Sequence, residues 1–502
     1  MSPSVDYTLT LDRLIPETSE NVPAEMAQQS VAAEIKSEEP ALATDEKSVA
    51  VLPFVNMSSD PEQEFFSDGI SEEILNVLTR IPNLKVAART SSFQFKGQNQ
   101  DIANIAQQLK VNHVLEGSVR KAGNQLRITA QLIEAESGFH LWSDTYDRQL
   151  EDVFAIQDEI AGAIAGELRA RLTDEPIQSS KVVDVEAYQL YLKGLGMVAT
   201  RTEEALFAAF DVLKAALEIE PDYVSAMATL ARGYVVAPYF TARKPSAELR
   251  EEGRKWANKA LQIEPNNVEA LSALAIVMNE RDMDSEMALE LLWKAVRANP
   301  GNLAANNFLG DVLFRTGDLT NAIIYESKAA EIDPLAPVHL SDLAFVYVIT
   351  GDYDKVLDLS ERGLNQNPSF NNAHQAKFEA YWGLGDLQEF ERSIHRQIEA
   401  KTLPHWEESL LLARLELARG NTAVAGEALT SIYELAEAGE ANPIFVAFEA
   451  VAHGEFDMAG ELLLKVYANQ IGNWSFPMYV RMPEQAPESK PWQEFWSLPE
   501  PS

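Results

Sequence analysis

Apolar and polar positions change rhythm along the chain, and each rhythm predicts different elements. "VAVLPF" (49–54) is an unbroken apolar run of strand length. "GISEEILNVLTRI" (69–81) follows with Ile70, Ile74, Leu75, Leu78 and Ile81 on one stripe, which is the period of a helix. "KVAART" (85–90) reads as strand and "IANIAQQL" (102–109) as helix. The pattern then turns β-like. "HVLEGSVR" (113–120) runs to a turn at Gly123-Asn124, and "LRITAQLI" (126–133) alternates Leu126, Ile128, Ala130 and Leu132 on one face. A second turn at Glu136-Ser137-Gly138 precedes "FHLWSDTY" (139–146), and a helix is predicted over 153–172. This order predicts a compact α/β domain over 48–178.

Beyond Val185 the rhythm is helical and recurs. Short turns fall at Gly317-Asp318, Gly351-Asp352, Gly385-Asp386, Gly420-Asn421 and Gly454-Glu455, spaced by 34, 34, 35 and 34 residues. Prolines mark the alternate turn at Pro265, Pro300, Pro334 and Pro368, spaced by 35, 34 and 34. Two helices per 34 residues is the tetratricopeptide period. "LAANNFLGDVLFRTGDLTNAIIYESKAAEIDP" (303–334) carries it fully, with Gly310, Ala322 and Ala329 where the helices of a hairpin touch. The 44 residues from Pro221 to Pro265 hold an insertion near 237–246. About eight units span 184–470, and 471–502, with Trp492, Phe495 and Trp496, is expected to fold back as a cap. The acidic residues 1–47 show no sustained apolar period and are expected to be a disordered tail or linker.

Composition narrows the function. The 502 residues carry 41 basic and 77 acidic side chains, a net charge of −36, which repels phosphate backbones and anionic lipid, so no direct nucleic-acid contact is expected. The lack of any cysteine excludes disulfides, thiolate nucleophiles and cysteine-held metal. No apolar stretch reaches 18 residues, so no membrane span is expected, and the first residues lack the basic-then-apolar order of a secretory signal. With Met1 as the native start the protein is expected in the cytoplasm; as the trimmed sensor part of a membrane regulator it would be periplasmic.

The acidic segment "DPEQEFFSDGISEE" (60–73) invites a metal or acid–base reading through Asp60, Glu62 and Asp68. Its spacing does not fit a calcium loop, and no histidine is near in sequence. Caps explain it better: Ser59 with Glu62, and Ser67 or Asp68 before a helix starting near Ile70. None of the seven histidines pairs at metal-ligand spacing, though His113 and His140 could be neighbours across the sheet. No catalytic motif, cofactor fingerprint or metal set emerges, so an enzyme is not expected.

The repeats do carry a surface. The first helix of each unit lines the inner face of a superhelix, and its outward positions form a groove for a peptide or partner protein. In phase, these are Asn307, Asp311, Phe314 and Arg315, then Ser341, Phe345 and Val348, then Gln375, Glu379 and Trp382. Asp311 stands where a basic clamp for a C-terminal carboxylate would need a neutral or basic residue.

"VAVLPFVNMSSDPEQEFFSDGISEEI", "RTSSFQFKG", "VNHVLEGSVRKAGNQLRITAQLIEAESGFHLWSDTYDR" and "DVFAIQDEIAGAI" closely resemble the TolB amino-terminal-like domain of bacterial signalling proteins, with "AYQLYLKG" (187–194) at a junction to tetratricopeptide repeats. The resemblance implies a TolB amino-terminal-like α/β domain followed by an all-α solenoid. In that family a class III adenylate cyclase or winged-helix DNA-binding domain usually stands in front. Residues 1–47 are too short and acidic for either, so neither activity carries over. The expected function is a non-catalytic protein-binding scaffold or sensory module in signal transduction. The alternative is the ligand-sensing portion of a longer membrane-bound regulator or cyclase. A third, weaker reading is an enzyme using the acidic segment on a nucleotide. Oligomeric state is not specified by any of these.

Overall fold

The computed structural model describes residues 47–60, 63–81, 83–98, 100–168, 183–240, 243–282, 284–400, 405–469, 489–491 and 493. The acidic segment ahead of Lys47 and most of the expected C-terminal cap, including Trp492, Phe495 and Trp496, lie outside them.

The sheet is mixed. β1 (Ser48–Val51) is buried at every residue and runs parallel to β3 (Lys85–Val86) on one side and to β4 (His113–Ala122) on the other. Burial on both faces explains the unbroken apolar run. Pro53 interrupts it, and β2 (Val55–Asn56) resumes pairing further along β4. β5 (Gln125–Glu134) and β6 (His140–Gln149) complete an antiparallel meander, giving the order β3-β1-β4-β5-β6. The ring of Phe54 lies on Gly117, where a Cβ would stand 2.7 Å from it and 2.3 Å from the Thr129 carbonyl. That close approach requires glycine.

Helices α1 (Glu64–Leu78) and α4 (Val153–Glu167) cover one face; α2 (Arg89–Ser92) and α3 (Ile102–Leu109) lie with the other. Two boundaries differ from expectation. The first helix starts at Glu64, because Phe66 extends the stripe of Ile70 and Ile74 and is itself buried. Ser67 and Asp68 are therefore inside the helix and cap nothing, while the Ser71 hydroxyl accepts from the Phe54 N–H at 2.8 Å. The strand expected over 85–90 stops at Val86, since the Ala88 N–H donates to the Ile332 carbonyl of the solenoid at 2.7 Å.

Sixteen helices follow among the described residues, paired as eight hairpins. Units one to three are α5 (Val185–Thr200) with α6 (Glu203–Ile219), α7 (Val224–Val236) with α8 (Ser246–Ile263), and α9 (Val268–Glu280) with α10 (Ser285–Ala298). Units four and five are α11 (Leu303–Arg315) with α12 (Leu319–Ile332), and α13 (Pro337–Thr350) with α14 (Tyr353–Gln366). Units six to eight are α15 (Asn371–Leu384) with α16 (Leu387–Ala400), α17 (His405–Ala418) with α18 (Thr422–Glu437), and α19 (Pro443–Ala452) with α20 (Phe456–Asn469). The periodic glycines 317, 351, 385, 420 and 454 all have φ between 69° and 89°, the left-handed turn that ends the first helix of a unit.

The core does not divide where the rhythm changes. One apolar cluster runs from Val49 through α1 and α4 into α5–α9, ending at Val277. Gly69 of α1 sits under Leu192 of α5, 2.8 Å from where its Cβ would be, and Tyr188 packs edge-on to Phe66 and Phe154. Units six to eight lie instead in smaller clusters: Ala376 and Ala380 of unit six share one with unit five, and two more hold units six to eight together.

Candidate functional site

The α/β domain lies against the first helices of the early units and against the turns that join later ones. The acidic segment takes part in this seam. Glu72 meets Arg89 at 2.8 Å, and Glu73 accepts from the Tyr191 hydroxyl of α5 at 2.8 Å. Burial pushes the Glu72 carboxyl up to about 7, against the pull of Arg89 and Arg232; burial likewise raises Glu73, which the Tyr191 bond opposes. Glu64 and Asp68 both pair with Lys96, at 2.8 and 2.7 Å. These carboxylates are engaged by the chain's own cations and hydroxyls. Glu62 lies outside the described residues.

The second part of the seam uses the inter-unit turns. Asp333, 1% exposed, accepts from the Ser91 hydroxyl at 2.5 Å and from the Thr90 hydroxyl. The Ser91 hydroxyl in turn accepts from the Leu335 N–H at 3.0 Å. The Leu335 side chain enters the apolar cluster of Ala50, Leu52, Ile105 and Leu109 beneath the sheet. One unit earlier, Asn299 donates to the Thr79 hydroxyl at 3.1 Å. None of these three turn residues stands out in a reading of repeats alone. The one signal among them is Leu335, an apolar side chain directly after the turn proline, where the other turns carry Asp222, Asn266, Gly301 or Ser369.

The ten residues expected to line a groove separate by burial. Phe314 and Ser341 are buried among the helices and present no side chain to a groove. Arg315 is 10% exposed and pairs with Asp311 at 2.8 Å; Asp311 and Glu280 together outweigh burial and hold the guanidinium charged. Asn307 donates to Glu326 at 3.2 Å and to Asp342 at 3.1 Å. Gly310 makes room for Glu326, whose carboxylate would be 2.5 Å from a Cβ there. Burial, then repulsion of its carboxylate by Asp342 and Asp311, pushes Glu326 well up, and burial with Asp311 raises Asp342 to about 7. Phe345 and Val348, on α13 of unit five, are half-buried against the apolar cluster that joins units four to six.

Gln375, Glu379 and Trp382 are half-buried on α15. Arg414 donates to Glu379 at 2.7 Å and to Glu449 at 2.8 Å, with its guanidinium 5.8 Å from the Trp382 ring centre. These three charged residues are 35 positions apart, so one repeat position builds a ladder through units six, seven and eight. Glu449 is fully buried; burial raises its carboxyl, but Arg414 and His453 more than offset this and leave it below its ordinary value. His113 bonds the Ser48 carbonyl at 3.0 Å, and β5 separates it from His140, so the two are not neighbours. No described helix is long and apolar enough to cross a membrane.

Comparison with known proteins divides along the same lines. Residues 45–162 match the family described as HilA/YgeH-like transcriptional regulator, second domain, and residues 284–337 match the tetratricopeptide repeat. A putative adenylate cyclase 3 of Rhizobium meliloti is 44% identical over 199 residues, which cover 39% of this chain and 34% of that protein. The chain thus spans about a third of the length of this curated relative. Among solved structures, a tetratricopeptide repeat protein from Parabacteroides merdae is 17% identical, covering 50% of this chain and 93% of its own, with a TM-score of 0.36. The Pseudomonas aeruginosa pilF protein is 19% identical, covering 42% and 91%, with a TM-score of 0.34. The chain carries tetratricopeptide repeats in a helical solenoid, an architecture whose concave face commonly serves protein binding.

Proposed function

We propose that this chain is a non-catalytic regulatory module of bacterial signal transduction that binds a protein or peptide on the inner face of units six to eight. The observation that carries this reading is the division of the solenoid. The bonds to the α/β domain fall on units one to five, at Tyr191, Asn299, Asp333 and Leu335. The aligned Glu379 and Arg414 belong to later units, where Arg414 bonds Glu379 and lies near the Trp382 ring. Gln375, Glu379 and Trp382 are therefore the partner-facing residues of this proposal, with Phe345 and Val348 at its border. A mixed aromatic and charged row suits a polar peptide with apolar anchors.

The regulator-domain match and the cyclase relative support placement in signalling. They also favour the second reading, in which the α/β domain is the sensing part of a longer regulator or cyclase, as its likeness to the TolB amino-terminal-like module suggests. Co-purification from native extract separates the two. A partner held by the wild type and lost by a folded Gln375→Arg/Trp382→Ala variant supports the groove. Equal recovery by both proteins overturns it and moves binding to the α/β domain.

A further inference from the structure

We propose that two copies of this chain pair edge to edge through β6, antiparallel, about a two-fold axis at Tyr146. This inference is independent of the groove. Among the described residues β6 is the last strand of the sheet; it is ten residues long, and of those ten only Tyr146 is buried. Its free side can be read from the register. Leu150 N–H bonds the Asn124 carbonyl at 2.9 Å, and the same ladder pairs Leu126 with Arg148 and Ile128 with Tyr146. In an antiparallel ladder such bonded pairs alternate, so even-numbered residues of β6 turn their backbone groups to β5. Ser143, Thr145 and Asp147 turn theirs to the open edge.

Charge then selects a register. Asp144 and Arg148 share a sheet face but lie four residues apart, about 13 Å on an extended strand, too far to meet. Arg148 donates only to the Asp147 carbonyl, at 3.3 Å, and Asp144 accepts the Thr145 N–H at 2.7 Å. Pairing about Tyr146 sets Asp144 of each copy opposite Arg148 of the other, twice. Both are non-hydrogen-bonded pairs, in which side chains approach most closely. Thr145 then faces Asp147 across the junction, and a carbonyl of the second copy replaces the Asp144 carboxylate on the Thr145 N–H. From Trp142 to Gln149 the edge has no proline, lysine or register shift to block such pairing. The net charge of −36 keeps copies apart at low salt; at about 0.15 M, with screening over roughly 8 Å, contact pairs outweigh it.

Sedimentation equilibrium of the full chain at that ionic strength tests this. Wild type is expected to dimerise with a dissociation constant below roughly 100 µM. Asp144→Arg alone, or Arg148→Asp alone, sets like charges in both pairs and should raise the dissociation constant at least about tenfold. The double variant restores opposite charges and should recover the dimer. Both sites are exposed, so circular dichroism should be unchanged. A monomeric wild type, a dimer indifferent to the single changes, or a double variant that stays monomeric would each overturn the proposal.

Discussion

Three turns of the solenoid share a plan: an acid or amide, then proline, then the start of the next unit. At Asn299-Pro300 and Asp333-Pro334 the first residue reaches across to the α/β domain, bonding Thr79 in one case and Ser91 in the other. The inward turn bond is common to both amides: Asn299 Oδ1 accepts from the Gly301 N–H, and Asn367 Oδ1 accepts from the N–H and hydroxyl of Ser369. The backbone and this bond repeat, while the second atom of the Asn299 amide adds a contact outside the array. A repeat period conserves helix contacts between neighbours, because each unit buries its face only on the next. Contacts outside the array are carried by side chains that the period leaves free.

The same contrast holds for whole regions. Units one to three share an apolar core with the sheet, and units four and five are tied to it by Asn299, Asp333 and Leu335. Units six to eight are held by small clusters and the Glu379–Arg414–Glu449 ladder. The first region should therefore unfold with the sheet and the second locally.

The largest expected effect is at Leu335. Leu335→Asp would put a carboxylate into the apolar cluster beneath the sheet and should cost about 4 kcal/mol. Hydrogen exchange should then rise over 85–95 and around the turn, leaving units seven and eight unchanged. Unaltered protection at 85–95 would show that the seam is held elsewhere. Next, Arg414→Ala strands the buried Glu449 carboxylate, and removing one partner of a buried pair costs about 3 kcal/mol. That loss should appear in exchange from α15 to α20 and leave the sheet protected; a uniform loss would erase the distinction between the regions.

A pH effect belongs to the seam. Because burial raises Glu72 to about 7, the folded chain binds more protons there than the unfolded chain between about pH 4.5 and 7. The stability it contributes is present below about pH 4.5 and is lost as pH rises through about 7, amounting to at most about 3 kcal/mol. Glu72→Gln should flatten the fall in melting temperature across that window, and an unchanged slope would assign the titration to other buried carboxyls such as Asp342. The smallest effect compares the turns directly. Asn299→Ala should cost about 1 kcal/mol and loosen the seam, whereas Asn367→Ala should cost about half that and act only within its unit. Equal exchange responses at Thr79 would remove the contrast.

Much of the architecture was legible in residue order. The glycine and proline periods located the hairpins, because a left-handed turn needs glycine and a helix end tolerates proline. The alternation in β5 and the unbroken run in β1 reported one-sided and two-sided burial. The proposed groove residues were less legible: phase gave Phe314 and Ser341 the same role as Gln375, Glu379 and Trp382, although the first two pack between helices. Periodicity tells which helix face a residue occupies and not what stands opposite.

What the residue order alone determined is local and periodic: helix and strand rhythm, turn chemistry and the period of the hairpins. Those properties depend on neighbours within a few positions or one repeat. Only the tertiary structure decided that α1 and α5 share a core, and that the acidic segment pairs with Lys96, Arg89 and Tyr191. It alone placed Asp333 against Ser91, across 242 residues of chain. Such contacts depend on the curvature accumulated over several stacked units, a sum of small rotations that no single repeat encodes.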